Sequence, residues 1–370
     1  MFNKTNRLLQ VGLAGSLCLA VLLSSALVGC APANDANGAP PAAPTEPDYY
    51  WRMANSWVQE ERNVSMQLFA DLVNQYTDGR VHIDFYPDGL LGTHDEMFHA
   101  VQAGDIEIAN VCPYVHLIPG GMLNWMPWTI STYDQLAVAV DRNDGILFDV
   151  MTDVYDEVGL QLLWFTPMGP YGVGSNVRPI THPDDFEGQV MRVSGSLGFV
   201  RCVQNMSEGT GLALETIPWA DVYGALERGV VDSAWSLWGS LIEERHYEVL
   251  TYYTDLGFGF DQNNVAINQQ LWQGLPLDIQ DAIMKAGVFA EERDFEIHRR
   301  IDKEYQLVLR DFGLEIHYPT PEEKAVFRER ARMGEVWEEL CLPWFEDRYP
   351  DGRAKMNEVL AELDHILENY

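Results

Sequence analysis

The stretch Pro276–Phe312, PLDIQDAIMKAGVFAEERDFEIHRRIDKEYQLVLRDF, contains no proline after its first residue and a single glycine, Gly287. Its spacing predicts one uninterrupted helix about three times the usual length of roughly 11–12 residues. In a chain of 370 residues, a helix this long must run across more than one domain.

The segments before it say what those domains are. From Tyr49 onward, short apolar strands alternate with amphipathic helices. YYWRMA, VHIDFYP, IEIAN and LQLLWF read as strands, then QVMRVS, LALETIP and VVDSAWSL. Between them, Val64, Leu68, Leu72, Val73 and Tyr76 recur at helical spacing, and WADVYGALERG and GSLIEERHYEVL read as helices. Thr93 with Glu96 forms a capping box and Gly104 ends that helix. After the long helix come a strand, LEIHYP, and a helix opened by Thr320, Pro321 and Glu323 as N-cap, N1 proline and capping-box partner. The terminal AKMNEVLAELDHILENY is one more amphipathic helix. Strands alternating with helices predict an α/β fold with largely parallel sheets. About 320 ordered residues exceed what one core usually fills, so two lobes are expected. There is no internal sequence repeat.

The N-terminus stands outside this pattern. Lys4 and Arg7 precede an apolar run, the form of a secretory signal over residues 1–29. Leu27-Val28-Gly29-Cys30 resembles a bacterial lipobox, which implies cleavage before Cys30 and lipidation of its thiol. Ala31–Pro47, rich in Pro, Ala, Asn and Gly without apolar periodicity, reads as a flexible tether. Two or three acyl chains, at roughly 0.8 kcal/mol per buried methylene, would hold the protein on a membrane without a spanning helix. No apolar run near 18 residues follows Cys30.

The chain has 56 acidic and 24 basic residues, a formal charge of −32; losing Lys4 and Arg7 with the signal takes it to −34. Such a surface excludes nucleic acid and an anionic membrane surface as direct partners. Cys112, Cys202 and Cys341 show neither CxxC nor zinc spacing. They are compatible with one disulfide or three isolated thiols. The nine histidines form no HExxH or comparable pair.

Four blocks in order carry a family resemblance. They are the strand and helix from Trp51 leading into DGRVHIDFYPDGLLGTHDEMFHAVQAGDIEIA, then RPITHPDDFEGQVMRV, LALETIPWADVYGALERGVVDSA, and AINQQLWQGLP followed by the long helix. Together they resemble the substrate-binding proteins of tripartite ATP-independent periplasmic (TRAP) transporters, from about Trp51 to Trp344. The resemblance implies a two-lobe periplasmic-binding-protein-like fold closing on a small solute, the long helix spanning both lobes, and delivery to membrane permease subunits. Lobe I is expected over 48–169 plus about 257–295, lobe II over 170–256 plus about 296–345, and a C-terminal helix over 346–370.

The resemblance also implies that the arginine of GQVMR, Arg192, binds the carboxylate of an organic acid. A guanidinium fork matches a carboxylate with two parallel bonds, and repulsion from the acidic surface is screened beyond roughly 8 Å. The alternative for Arg192 is a structural ion pair between lobes. Two departures from the family pattern narrow the solute. Where many members keep a second arginine, this chain has Tyr171; where sugar-acid and dicarboxylate binders commonly have an asparagine, it has Ser236, flanked by Trp235 and Trp238. The expected solute is a monocarboxylate with an apolar or aromatic body. By strand alternation Trp235 and Ser236 should not both face it, and each tryptophan either lines the cleft or packs in the core. Asn55, Tyr114 and Phe260, at strand ends or a lobe crossing, are further candidates.

No GxSxG, P-loop or GxGxxG marks an enzyme, and no cofactor or metal site is expected. A domain presenting ligand to a sensor kinase would have the same lobes.

Overall fold

A computed structural model describes residues 46–56, 60–114 and 117–370. The signal, Cys30 and all of the tether except Glu46 and Pro47 lie outside the described residues. No helix among those described is long and apolar enough to cross a membrane.

Eleven strands among the described residues form two sheets. The first contains β1 (Tyr49–Ala54), β2 (Val81–Tyr86), β3 (Ile108–Val111), β4 (Leu160–Pro170) and β10 (Phe260–Asn268), in the order β2-β1-β3-β10-β4. The second contains β5 (Gly172–Ser175), β6 (Val190–Val193), β7 (Ala213–Thr216), β8 (Ser233–Ser236), β9 (Tyr252–Thr254) and β11 (Glu315–His317), in the order β11-β9-β5-β8-β6-β7. The chain passes from the first sheet to the second at Tyr171 and returns between Thr254 and Phe260.

Those crossings modify the expectation of largely parallel sheets. β10 runs antiparallel to β3 and β4, and β5 antiparallel to β8 and β9. The cause is geometric. One crossing leaves the first sheet as the other enters it, and the two segments lie side by side, so they pair head to tail. Phe260 sits opposite Pro170, and Val173 opposite Thr254. Between the sheets the crossings bond directly: Tyr171 N donates to Gly259 O and Gly257 N to Tyr171 O, each at 2.9 Å. Gly257 has φ +61°, a conformation that costs glycine little.

The long helix is Leu277–Asp311, 35 residues or about 52 Å at 1.5 Å per residue. It packs on helix Glu60–Tyr76 and β4 of the first lobe, and on helix Trp238–Glu243 of the second. Its buried apolar line runs from Ile279 to Leu309, interrupted by Asp294, His298 and Asp302. Each of the three has a partner: Ser65 Oγ donates to Asp294 at 2.8 Å, Arg62 Nη1 lies 3.1 Å from His298 Nε2, and Tyr133 Oη donates to Asp302 at 2.6 Å.

The local signals at helix ends hold. Thr93–Glu96 and Thr320–Glu323 form complete capping boxes, and Gly104 closes its helix in the left-handed conformation. The segment GSLIEERHYEVL is an α-helix only to Glu243; Arg245 turns to φ 58° and a short 3₁₀ turn, His246–Glu248, follows. The last helix, Gly352–Asn369, returns to the first lobe and buries Met356, Val359, Leu363 and Ile366 in its core. Cys112, Cys202 and Cys341 are buried free thiols, so no disulfide forms among them.

Candidate functional site

The two sheets point the ends of their strands at a common cavity of about 340 Å³. Ser56 follows β1, Cys112 and Tyr114 follow β3, and Asp261 and Asn263 lie on β10. From the other side come Arg192 and Ser194 at the end of β6, Trp219 after β7, Trp235 on β8, and Glu243 and Glu244 at the end of helix Trp238–Glu243. Open α/β sheets place ligands at such strand ends, and the volume suits a small solute.

Arg192 is 6% exposed. Its Nε donates to Ile217 O at 3.0 Å, and its guanidinium lies 5.3 Å from the Trp219 ring centre. No ion pair to Arg192 and no partner for its two terminal nitrogens occurs among the described residues. Burial lowers its pKa from the ordinary arginine value, opposed by the nearby hydroxyls of Tyr171 and Tyr114. It remains a cation, since guanidinium is not deprotonated in proteins.

Tyr171 sits at the crossing between the sheets, edge-on to Phe199 at 4.9 Å. Its hydroxyl hydrogen-bonds to the Asp261 carboxylate. Burial lifts Asp261 to about 6, despite Tyr171 and the field of Arg62. Trp235 packs at 3.9 Å on Phe258, their rings tilted by 37°, and Tyr114 meets Trp125 edge-on at 5.6 Å. The walls are therefore aromatic: Tyr114, Trp125, Tyr171, Phe199, Trp219 and Trp235.

The remaining charges are largely matched. Arg62 Nε lies 3.0 Å from both Glu243 oxygens, bridging the lobes. Its approach needs Gly239, where a Cβ would lie 2.2 Å from Arg62 Nη2. Glu244 is exposed and accepts the Trp219 indole N–H. Ser56 Oγ shares a 2.6 Å hydrogen bond with His94 Nε2, and burial holds His94 down to about 4, hence neutral. No cluster of three or more metal-binding side chains occurs among the described residues.

Of the residues singled out in the sequence, Arg192, Tyr171, Trp235 and Tyr114 line the cavity; Asn55, Ser236, Trp238 and Phe260 are not in its wall. Asn55 is buried one residue before the lining Ser56 and donates to Asn63 at 2.9 Å. Ser236 faces away from Trp235, as alternation requires, and its hydroxyl lies 3.3 Å from His246 Nδ1. His246 in turn packs on Trp219 at 5.3 Å, so Ser236 stands behind the Arg192 platform. Trp238 packs on Tyr253 at 4.7 Å, and Phe260 on Tyr133 at 4.9 Å. Sequence reasoning missed Arg62, Trp125, Phe199, Trp219, Asp261 and Asn263. Trp219 lies just past a strand end and was open to the same rule that gave Tyr114. Arg62 has no local signal, since its partner is 181 residues away.

A family model described as bacterial extracellular solute-binding protein, family 7 (DctP), matches residues 59–341. The C4-dicarboxylate-binding periplasmic protein DctP of Rhodobacter capsulatus is 26% identical over 283 residues, 74% of this chain and 78% of its own. The ectoine-binding periplasmic protein TeaA of Halomonas elongata is 24% identical over 325 residues, 85% and 92% of the two chains. Among solved structures, a TRAP periplasmic solute-binding protein from Roseobacter denitrificans with bound β-D-glucuronate superposes with TM-score 0.73 at 23% identity, covering 84% of this chain and 99% of that one. Another, from Sulfurospirillum deleyianum with bound succinate, gives 0.69 at 22% identity, covering 85% and 99%.

Proposed function

The chain belongs to bacterial extracellular solute-binding protein family 7, and from that premise we propose that it captures a small monocarboxylate and hands it, unchanged, to TRAP-type permease subunits. The observation that carries this reading is the buried Arg192, whose terminal nitrogens have no protein partner among the described residues, in an aromatic cavity. A carboxylate would complete it with two charge-assisted bonds, each about 1.5–3 kcal/mol. Micromolar binding needs about 8 kcal/mol, so the aromatic walls must supply much of the rest.

The relatives named above are associated with dicarboxylates, ectoine, a uronate and succinate, so the family alone leaves the body of the solute open. Here Tyr171 is engaged with Asp261. A second carboxylate placed there would meet a carboxylate, and this favours a single acid group. Trp125, Trp235 and Phe199 offer apolar faces for the body. A thermal-shift screen of organic acids tests the reading. A ligand at 100 times its Kd should stabilise the protein by about 2.7 kcal/mol. Tighter binding of succinate or malate than of aryl or branched monocarboxylates would overturn the single-acid part.

We further propose that Cys30 is lipidated and tethers the protein to the outer face of the cell membrane. Wild type should then fractionate with membranes, and Cys30→Ser should be released or left unprocessed. Identical fractionation of the two would exclude the anchor.

A further inference from the structure

We propose that the captured acid also carries a cationic nitrogen, and that Asp261 receives it. The inference rests on the carboxylate-capture reading and deepens it. It follows from which charges on the cavity wall are already matched. Arg62 and Glu243 pair with each other. Glu244 also lacks an ion-pair partner among the described residues, but it stands exposed at the rim and accepts the Trp219 indole N–H. His94 is neutral. Arg192 and Asp261 remain, one of each sign, both lining the cavity. Tyr171 stands between them, close enough to Arg192 to feel its charge and hydrogen-bonded to Asp261. Neither charge has an ion-pair partner among the described residues.

A plain carboxylate would satisfy Arg192 and leave Asp261 as a desolvated anion beside a second anion. Buried charges are tolerated when paired and are costly when not. A solute with a carboxylate at one end and a protonated or quaternary nitrogen at the other matches both ends of this dipole. The wall between them suits the same solute. Trp125 stands beside Asp261, and Tyr114, edge-on to Trp125, lines the same cavity. The faces of such rings attract organic cations. Asn263, 2% exposed on the same strand, also lines the cavity, its amide beside the Cys112 thiol. It is a further polar group facing the solute.

Calorimetry on the full chain at pH 8 tests this with a panel of matched pairs, each an amino acid or cyclic amine acid against the acid of the same skeleton lacking nitrogen. The panel includes phenylalanine against 3-phenylpropionate and pipecolate against cyclohexanecarboxylate, with aryl, branched and cyclic bodies all represented. The zwitterionic member of the best-bound pair should bind at least tenfold more tightly. In Asp261→Asn that preference should vanish while the nitrogen-free acid binds as well as before or better. Equal or tighter binding of the nitrogen-free acid to wild type overturns the proposal, as does an undiminished preference in Asp261→Asn. Should that variant fail to fold, the wild-type comparison decides alone. Binding of neither member in any pair would instead sink the capture reading, and this proposal with it.

Discussion

Arg192 is fixed by two contacts that use up only part of its guanidinium: Nε on the Ile217 carbonyl and the flat face over Trp219. The other two nitrogens are held in place but not consumed, which is what a ligand anchor requires. Arg192→Ala should therefore leave a bound acid desolvated and unpaired, a loss of about 3–5 kcal/mol, or a few hundred-fold or more in affinity. Arg192→Lys should recover only part, because a point charge makes no paired bonds and stacks poorly on Trp219. Titration calorimetry on the three proteins checks this; unchanged affinity in Arg192→Ala would remove the anchor from the account. Arg192 was legible because its motif carries it. Trp235 and Ser236 were legible as a pair, because strand alternation sends neighbours to opposite faces. Trp238 and Phe260 were not separable from cavity residues by sequence, since an aromatic at a strand end looks the same whether a ligand or Tyr253 and Tyr133 lie against it. Asp261 was hidden for the opposite reason: a carboxylate in a loop-like polar stretch gave no hint of burial.

That polar stretch is strand β10, FDQNNVAIN. After Phe260 it opens with Asp, Gln and two Asn, of which Asp and Asn are depleted in strands, and it forms because it is hydrogen-bonded on both sides by β3 and β4. β5, GVGS, and β9, YYT, are too short to show a period. The strands unread in the sequence are thus the three nearest the crossings, where tertiary pairing rather than local pattern makes the strand. The long helix was the reverse case, readable from composition alone. It also contains a buried carboxyl with a measurable signature. Glu291 accepts the Phe165 N–H at 2.8 Å and lies 3.6 Å from Arg142, yet burial lifts it from the usual 4.5 to about 7. The folded chain thus holds this proton more tightly than the unfolded chain. The corresponding stability is fully present below about 4.5 and is lost as pH rises through about 7. Glu291→Gln keeps an acceptor for Phe165 and removes the titration. Its Tm relative to wild type should climb between pH 5 and pH 8, as followed by calorimetric melting. Parallel Tm curves for the two proteins across that range would contradict the burial argument.

At the scale of the whole molecule, two α/β lobes share two paired crossings, one long helix and a buried interlobe ion pair, Arg62–Glu243. Alternating strands and helices gave the lobes, and the helix length gave their bridging. The cavity could not be read at this scale, because its wall is assembled from residues as far apart as Ser56 and Asn263. The acidic exterior, with a formal charge of −32 for the whole chain, repels organic anions at long range. Physiological salt confines that repulsion to roughly 8 Å, so the local field of Arg192 can prevail inside the cleft. We propose the paired crossings as the hinge, since a few residues there can absorb a rotation while both cores stay packed. We propose that one small acid is enclosed between these lobes. Small-angle X-ray scattering of the protein with and without a saturating acid tests it most directly. The account predicts a smaller radius of gyration with the acid bound; superimposable curves at saturation would contradict it.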